Sequence, residues 1–468
     1  METITRLESD SIGAKKVPAD AYYGVQSLRA MENFSITGSK VSPEMINALA
    51  LLKKACARAN RQAGALDAVI ADAIEAACDE VCGGSYHDQF IVDPIQGGAG
   101  TSMNMNINEV IANVAIRRLG GTLGDYSLVH PNDHVNCGQS TNDIVPTAGK
   151  LTALILLRSL EKSLKKLYNA FMRKSREFDH IIKMGRTQLQ DAVPVRLGQE
   201  FGAYATAVNR GLQRIKIAKK ELYAVNLGGT AIGTGINADR AYYDRVAQIL
   251  CDLTGFPFHQ AEDMIDGTQN IDCFAAVSGA VKECALALSK IANDLRLMSS
   301  GPRTGFGEIN LPARQNGSSI MPGKVNPVIP EVINQVAFRI MGNDVTVSMA
   351  VEAGQFELNA FEPVVFDALF QSIRILDQGV RTFTVNCVEG ITANEERCNE
   401  LLDASVGIVT ALCPYIGYAE AAKLAKEALA KRIPIRTLLL QKNILTREQA
   451  EKILDVYSMT QPGVPGKA

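Results

Sequence analysis

The 468-residue chain has no tryptophan, and aromatic residues make up only 6% of it. Its core must therefore rest on aliphatic side chains, and the 47% hydrophobic fraction supplies enough of them. An excess of one charge is missing as well: 48 basic residues stand against 50 acidic ones, a net of −2. That balance removes the electrostatic footprint of a nucleic-acid or anionic-membrane partner. No apolar run reaches the length of about 18 residues that a membrane-spanning helix needs. The opening METITRLESD has neither the basic nor the apolar stretch of a secretory signal. The ten cysteines are scattered, without a CxxC pair. Cys78 and Cys82 have no Cys or His partners nearby and read as core thiols rather than metal ligands. His87, His130, His134, His180 and His259 form no HExxH and no His-Asp-Ser pattern. These absences point to a reduced, cytoplasmic protein without a metal site.

What the chain has is long helical periodicity. Phe274, Val277, Val281, Cys284, Leu288, Ile291, Leu295 and Met298 alternate in steps of three and four, with Gly267 before them and Gly301-Pro302 after. A second seam runs Leu157, Leu160, Leu164, Leu167, Phe171, Phe178, interrupted by Lys174. Further long patterns cover about 195–225, 330–350 and 362–387. Helices of this length, with narrow apolar stripes, predict a mostly α protein built on a bundle of long helices. One bundle alone would leave a stripe such as Phe274–Met298 partly uncovered, which favours packing several bundles into a closed oligomer. The flanks differ in character. Residues 1–141 mix short helices with Gly-rich loops, 142–395 hold the bundle, and 396–468 carry short helices and a flexible QPGVPGKA tail. Three domains agree with the usual length of roughly 150 residues each.

Four polar loops interrupt the helices. Gly97 to Asn106 (GGAGTSMNMN) lets backbone N–H groups approach an anion, but lacks the Lys and spacing of a P-loop. His130 to Asp143 (HPNDHVNCGQSTND) collects more hydroxyls and amides before a helix than capping requires. In Gly185 to Pro194 (GRTQLQDAVP), Asp191 is placed to cap the next helix. The fourth, Gly317 to Pro327 (GSSIMPGKVNP), holds two serines and one charge between hinge-forming Gly and Pro, edged by Ile320, Met321 and Val325. Many hydroxyls, amides and N–H donors with a single Lys suit a small dicarboxylate and the stabilisation of an oxyanion, without metal or covalent cofactor.

GSSIMPGKVNP resembles the signature of the fumarase/aspartase superfamily, and the likeness extends from DAYYGVQSLRAMENF to GIVTALCPYIGY. QSTND has Thr141 where class II fumarases usually read a second Ser. GRTQLQDAVPVRLGQEF and NPVIPEVINQVAFRI are likewise closer to the aspartase branch. The resemblance implies a three-domain, mostly helical subunit in a homotetramer, with active sites shared between subunits. It further implies Ser318 as the catalytic base that takes the C3 proton of a dicarboxylate. Thr101, Ser140, Thr141 and Ser319 would hold the β-carboxylate, and Thr187, Lys324 and Asn326 the α-carboxylate. Asn142 and Gln188 would face the amino group. Gln188 stands where the superfamily more usually has His, and Gln is neither an acid nor a base. A hydratase must protonate a departing hydroxide, whereas an ammonium leaves as neutral ammonia without further help. Gln188 therefore favours ammonia elimination over the alternative, hydration of fumarate. A silent scaffold on the same fold is disfavoured, since Thr141, Thr187, Ser318, Lys324 and Asn326 are all retained.

Overall fold

The computed structural model describes residues 4–467. The chain opens with an antiparallel hairpin, β1 (Thr5–Asp10) and β2 (Gly13–Pro18), followed by helix α1 (Val25–Asn33). Helices α2 (Pro43–Ala63), α3 (Ala68–Cys82), α4 (Thr101–Arg118) and the 37-residue α5 (Thr141–Glu177) come next. A second hairpin, β3 (Ile182–Thr187) and β4 (Gln190–Arg196), leads into α6 (Leu197–Ala218). Strand β5 (Ala224–Val225), helix α7 (Arg240–Thr254) and strand β6 (His259–Gln260) follow, the two strands pairing in parallel. Then come α8 (Asp266–Gln269), α9 (Asp272–Met298), β7 (Ile309–Asn310), α10 (Val328–Glu352) and α11 (Glu362–Asn386). Strand β8 (Thr392–Ala393) pairs with β7, and the short helices α12 (Glu395–Ala404), α13 (Cys413–Ile416), α14 (Tyr418–Lys431), α15 (Ile435–Gln441) and α16 (Arg447–Ile453) close the chain.

Helix limits follow local chemistry. Ser42 accepts from Met45 N at the start of α2, Pro43 takes the first turn, and Gly64 ends the helix in the left-handed region. Asp67 and Asp239 cap α3 and α7, and Thr446 with Gln449 forms a capping box on α16. The long seams appear as α5, α6, α9, α10 and α11, so the mostly α reading holds.

The chain divides into two compact units. The first joins the segment ending at Glu161 with Gln213–Glu283 and Phe338–Leu376. In it α2 packs against α3 and α7, and α3 against α4. Phe366 stacks on Phe370 with centroids 5.5 Å apart and meets the edge of Phe274 at 5.2 Å. The second unit joins Lys162–Leu212, Cys284–Ala337 and Asp377–Ala468. There Phe171 contacts Phe201, Tyr204 and Phe383. A separate cluster of Leu412, Leu438, Leu439, Ile453 and Leu454 supports the C-terminal helices, with Met184 of β3 reaching into it.

Several expectations are corrected. Residues 185–194 are not a loop but most of a β-hairpin, because backbone pairing from Ile182 to Arg196 continues to a two-residue turn. Asp191 lies on β4 and caps no helix among the described residues; Gln199 Oε1 accepts from Arg196 N at the start of α6 instead. Of Gly97–Asn106, only the glycine-rich part is loop, since α4 begins at Thr101. The tail is tied down: Tyr415 Oη donates to Pro465 O at 2.7 Å. Every residue of the Phe274–Met298 stripe is buried within the single chain, so that stripe does not call for a partner. The exposed apolar face is on α10, where Phe338, Val345 and Met349 are 61%, 59% and 67% accessible.

Gly149 on α5 shows what the first unit demands. A Cβ there would overlap Cε1 and Cζ of Phe366, a ring held by Phe274 and Phe370. Alanine would add helix propensity of roughly 1 kcal/mol, but overpacking of a fixed ring costs about 1–3 kcal/mol. Gly149→Ala should therefore lower the thermal midpoint; an unchanged or raised midpoint would show that the ring gives way.

Candidate active site

The polar residues singled out from the sequence fall into four groups. Two lie in the first unit. Thr101 is exposed at the first position of α4, and its hydroxyl donates to Gly98 O at 2.8 Å. The three residues before it, Gly98, Ala99 and Gly100, all have positive φ (83°, 55° and 87°), a run that Ala99 tolerates only because the loop is tightly held. A side chain at Gly100 would collide with Val145.

Ser140, Thr141 and Asn142 form the second group, at the start of α5. Ser140 Oγ accepts from Asn142 N at 3.1 Å, and Asp143 Oδ1 accepts from Ser140 N at 2.9 Å, a reciprocal cap with Asp in the third position. Asp143 Oδ2 accepts from Gly228 N and Thr230 N at 3.0 and 3.2 Å, so one carboxylate pins two segments. Asn142 Nδ2 donates to Ala231 O at 2.7 Å. That leaves its Oδ1 free among the described residues to accept from a ligand.

Beneath this group lies a polar layer that sequence reasoning missed. Lys53 of α2 is 0% accessible, and its Nζ donates to Asn136 Oδ1 at 2.8 Å and Gln139 Oε1 at 2.9 Å. Asn104 Nδ2 reaches Asn136 Oδ1 at 3.2 Å and Thr141 Oγ1 at 3.3 Å. Burial lowers the Lys53 ammonium to about 8. The same effect raises the Asp143 carboxyl to about 6, outweighing its backbone donors, which pull the other way. A signal was available: Leu49, Leu52, Lys53 and Cys56 share one helical face, so a lysine sits on an apolar stripe.

The other two groups lie in the second unit. Thr187 ends β3, and Gln188 and Leu189 make the turn with φ of 54° and 62°. Two successive left-handed residues are the mark of a type I′ turn, which ordinarily uses Asn-Gly. The last group is the loop before α10. Gly317 N donates to Lys324 O at 2.7 Å and Asn326 Nδ2 donates to Gly317 O at 2.7 Å, closing the loop at its base. A Cβ on Gly317 would meet Lys324 O at 2.5 Å, so glycine is required there.

Ser318 Oγ accepts from Ile320 N at 3.2 Å and Met321 N at 3.0 Å, two donors that favour a negative oxygen. Ser319 is exposed. Lys324 is exposed and forms no ion pair with the described residues, so its charge is available to an anion. Lys324 and Asn326 line a cleft of about 780 Å³ together with Asn293, Arg296, Ser300 and Glu331. Arg296, Asn293 and Glu331 were not foreseen; they lie on helical faces that periodicity alone reads as solvated. No hydrogen bond among the described residues joins this loop to the Thr187–Gln188 turn. No group of three His, Cys, Asp or Glu is placed to hold a metal among the described residues.

Comparison with known proteins gives the family. A family described as Lyase matches residues 13–342, and one described as Fumarase C C-terminus matches 408–461. An aspartate ammonia-lyase from a Bacillus species is 54% identical over 100% of both chains. The chain belongs to the fumarase/aspartase superfamily of lyases. Among solved structures of the superfamily, a fumarate lyase:delta crystallin from Brucella melitensis aligns with a TM-score of 0.95, covering 98% of this chain and 100% of that one at 47% identity. A class II fumarase from Schistosoma mansoni has the same fold, with a TM-score of 0.94 over 98% and 100% of the two chains, but is only 35% identical.

The buried lysine yields a pH test. Between the folded value of about 8 and the ordinary 10.5, the unfolded chain keeps the Lys53 proton while the folded chain has lost it. Stability contributed by this group therefore appears as pH rises through that window. Relative to Lys53→Met, the wild type should gain up to about 1.4 kcal/mol per pH unit in urea unfolding above pH 8. A difference that stays flat with pH would show that burial does not lower the Lys53 ammonium.

Proposed function

We propose that the chain catalyses the reversible deamination of L-aspartate to fumarate and ammonia. The observation that carries this is the full-length match to an aspartate ammonia-lyase, well above the likeness to a class II fumarase. Gln188 at the hairpin tip supports it, since ammonia elimination needs no acid for the leaving group.

The chemistry follows from the substrate. The C3 proton of aspartate is weakly acidic, and its removal is tolerable only if charge spreads into the β-carboxylate as an aci-carboxylate dianion. Thr101, Ser140, Thr141 and Ser319 bind that carboxylate. The first three sit at the starts of α4 and α5, where the helix dipole adds to their hydroxyls. Each such donor is worth on the order of 10²–10³ in rate. Lys324, with Thr187 and Asn326, holds the α-carboxylate. Asn326 gives one N–H to Gly317 O and keeps the second for substrate. Asn142 Oδ1 and Gln188 accept from the ammonium. Ser318 is the base: an alkoxide is accessible there because Ile320 N and Met321 N already point at Oγ. Loop closure strengthens that effect by excluding water.

We place these sites in a homotetramer, each assembled from several subunits. The support is the exposed apolar stripe of α10, whose Phe338, Val345 and Met349 are too large an apolar face to leave in water. A three-domain reading, with divisions after residues 141 and 395, belongs to the same picture. No helix among the described residues is long and apolar enough to cross a membrane, and a cytoplasmic location fits the metabolite chemistry.

Ultraviolet detection of fumarate, with L-aspartate and L-malate assayed side by side, decides the substrate. Faster turnover of malate would sink the ammonia-lyase assignment. Ser318→Ala should lower kcat by on the order of 10³-fold or more while a succinate-like inhibitor still binds. Near-normal turnover would mean that another group takes the proton. Subunits carrying Ser318→Ala mixed with subunits carrying Thr187→Ala, each inactive alone, should regain part of the activity. Confirmed subunit exchange without recovery would refute shared sites.

A further inference from the structure

The hairpin that presents Thr187 and Gln188 is unusual at both ends. Its tip places two non-glycine residues in the left-handed region. Such strain persists only where the surroundings over-determine it. Its stem carries a bulge: Met184 pairs with Pro194 but Arg186 with Asp191, so β4 holds an extra residue opposite Gly185. Glycine is needed at that point because a Cβ would approach Val193 O to 2.7 Å.

Beside this stem lies a set of buried charges that the reaction as described does not use. Glu308 is 0% accessible and Lys183 only 2%. Arg186 Nη1 lies 2.8 Å from Glu308 Oε1, and Lys183 Nζ lies 3.2 Å from Glu308 Oε2 and 3.0 Å from Glu200 Oε1. The Arg186 guanidinium covers the Phe306 ring at 4.2 Å. Glu308 is itself anchored through its backbone, its N–H donating to Met298 O at 2.9 Å and its carbonyl accepting from Asn394 N at 2.8 Å. A buried ion cluster is seldom a net gain over apolar packing, so its value lies in holding one geometry. Here that geometry ends one residue from Thr187.

We propose that Glu308 is the positioning residue of the hairpin tip: its carboxylate, gripped by Lys183 and Arg186, fixes where Thr187 and Gln188 stand against the substrate's amino-acid end. The proposal rests on the assignment of Thr187 and Gln188 to aspartate. Glu308 does not touch the substrate. It sets the reach of two groups that do, through Arg186 Nη1 on Glu308 Oε1 and Lys183 on Oε2, a span that a lysine ammonium at position 186 would change. The same charges also explain why the stem can be bulged without losing register.

The test combines kinetics on the full-length protein with hydrogen exchange in the absence of substrate. Glu308→Gln should raise KM for aspartate about 10–100-fold and lower kcat much less, because a binding contact is displaced rather than the base. Binding of a succinate-like inhibitor should weaken in Glu308→Gln too, and in the inactive Thr187→Ala background the same change should weaken it less than about 3-fold further, since the contact it positions is already gone. Arg186→Lys, which keeps the charge and folds more readily, should show the same KM-weighted pattern in milder form. It decides the matter should Glu308→Gln not fold. Amides of residues 182–196 should exchange faster in Glu308→Gln than in wild type. Wild-type KM in both single variants, losses that multiply in the double variant, or unchanged exchange would each overturn the positioning role. If the wild type fails to turn over aspartate while exchange still accelerates, the substrate assignment has failed and the clamp on the tip stands.

Discussion

A helix start leaves N–H groups without partners, and this chain repeatedly puts its polar residues where those groups are. Thr101 is the first residue of α4, Ser140 and Asp143 cap α5, and the Gly317–Pro327 loop runs directly into α10. The length of the helices enforces this. An element of 37 residues, such as α5, spans over 50 Å at about 1.5 Å per residue, so its polar chemistry must gather at its ends while the seam stays apolar. A ligand with two carboxylates matches such ends better than any neutral one, because the positive end of the helix dipole favours negative charge.

Donors at helix ends are useful only if they stay aimed, and both units solve this with buried charge. In the first, Lys53 and Asp143 hold the residues around Thr141 from beneath, each shifted toward neutrality by its surroundings. In the second, Glu308 lies between Lys183 and Arg186 beneath the tip that carries Thr187. Neither arrangement is an economical way to gain stability, since desolvation consumes most of the Coulombic attraction. What they supply is a fixed position for loops that would otherwise sample many.

The long helices were legible because period and stop signals agree; α9 begins and ends within a few residues of the limits set by Gly267 and Gly301-Pro302. The second hairpin was not. Its turn is Gln-Leu, without the Asn or Gly that marks a type I′ turn, and Pro194 in β4 argues against a strand until the bulge is seen. The first turn and a half of α4 read as loop because they continue the glycine-rich run from Gly97; Asn104 and Asn106, poor helix formers, are held in the helix by burial and side-chain bonding. Lys53, Glu308 and Asp143 were passed over because sequence cannot say which charges are buried. The apolar stripe of α9 gave a sound helix but a false argument for assembly, since its own chain covers it and the exposed face belongs to α10.

The loop around Ser318 shows how the two themes meet. Ile320, Met321 and Val325 are 84%, 49% and 53% accessible, although they flank the proposed base. Apolar side chains on an exposed polar loop gain from any closure that covers them. Under the proposed mechanism, closure would remove them from water and dry the space around Ser318 Oγ. In that drier medium the two N–H groups already aimed at Oγ count for far more than they do in solvent. The loop base, locked by Gly317 to Lys324 and by Asn326, need not move. Hydrophobic burial would thus drive the step that makes a serine hydroxyl basic enough to take a proton from carbon, and a histidine at position 188 becomes unnecessary for that half of the reaction.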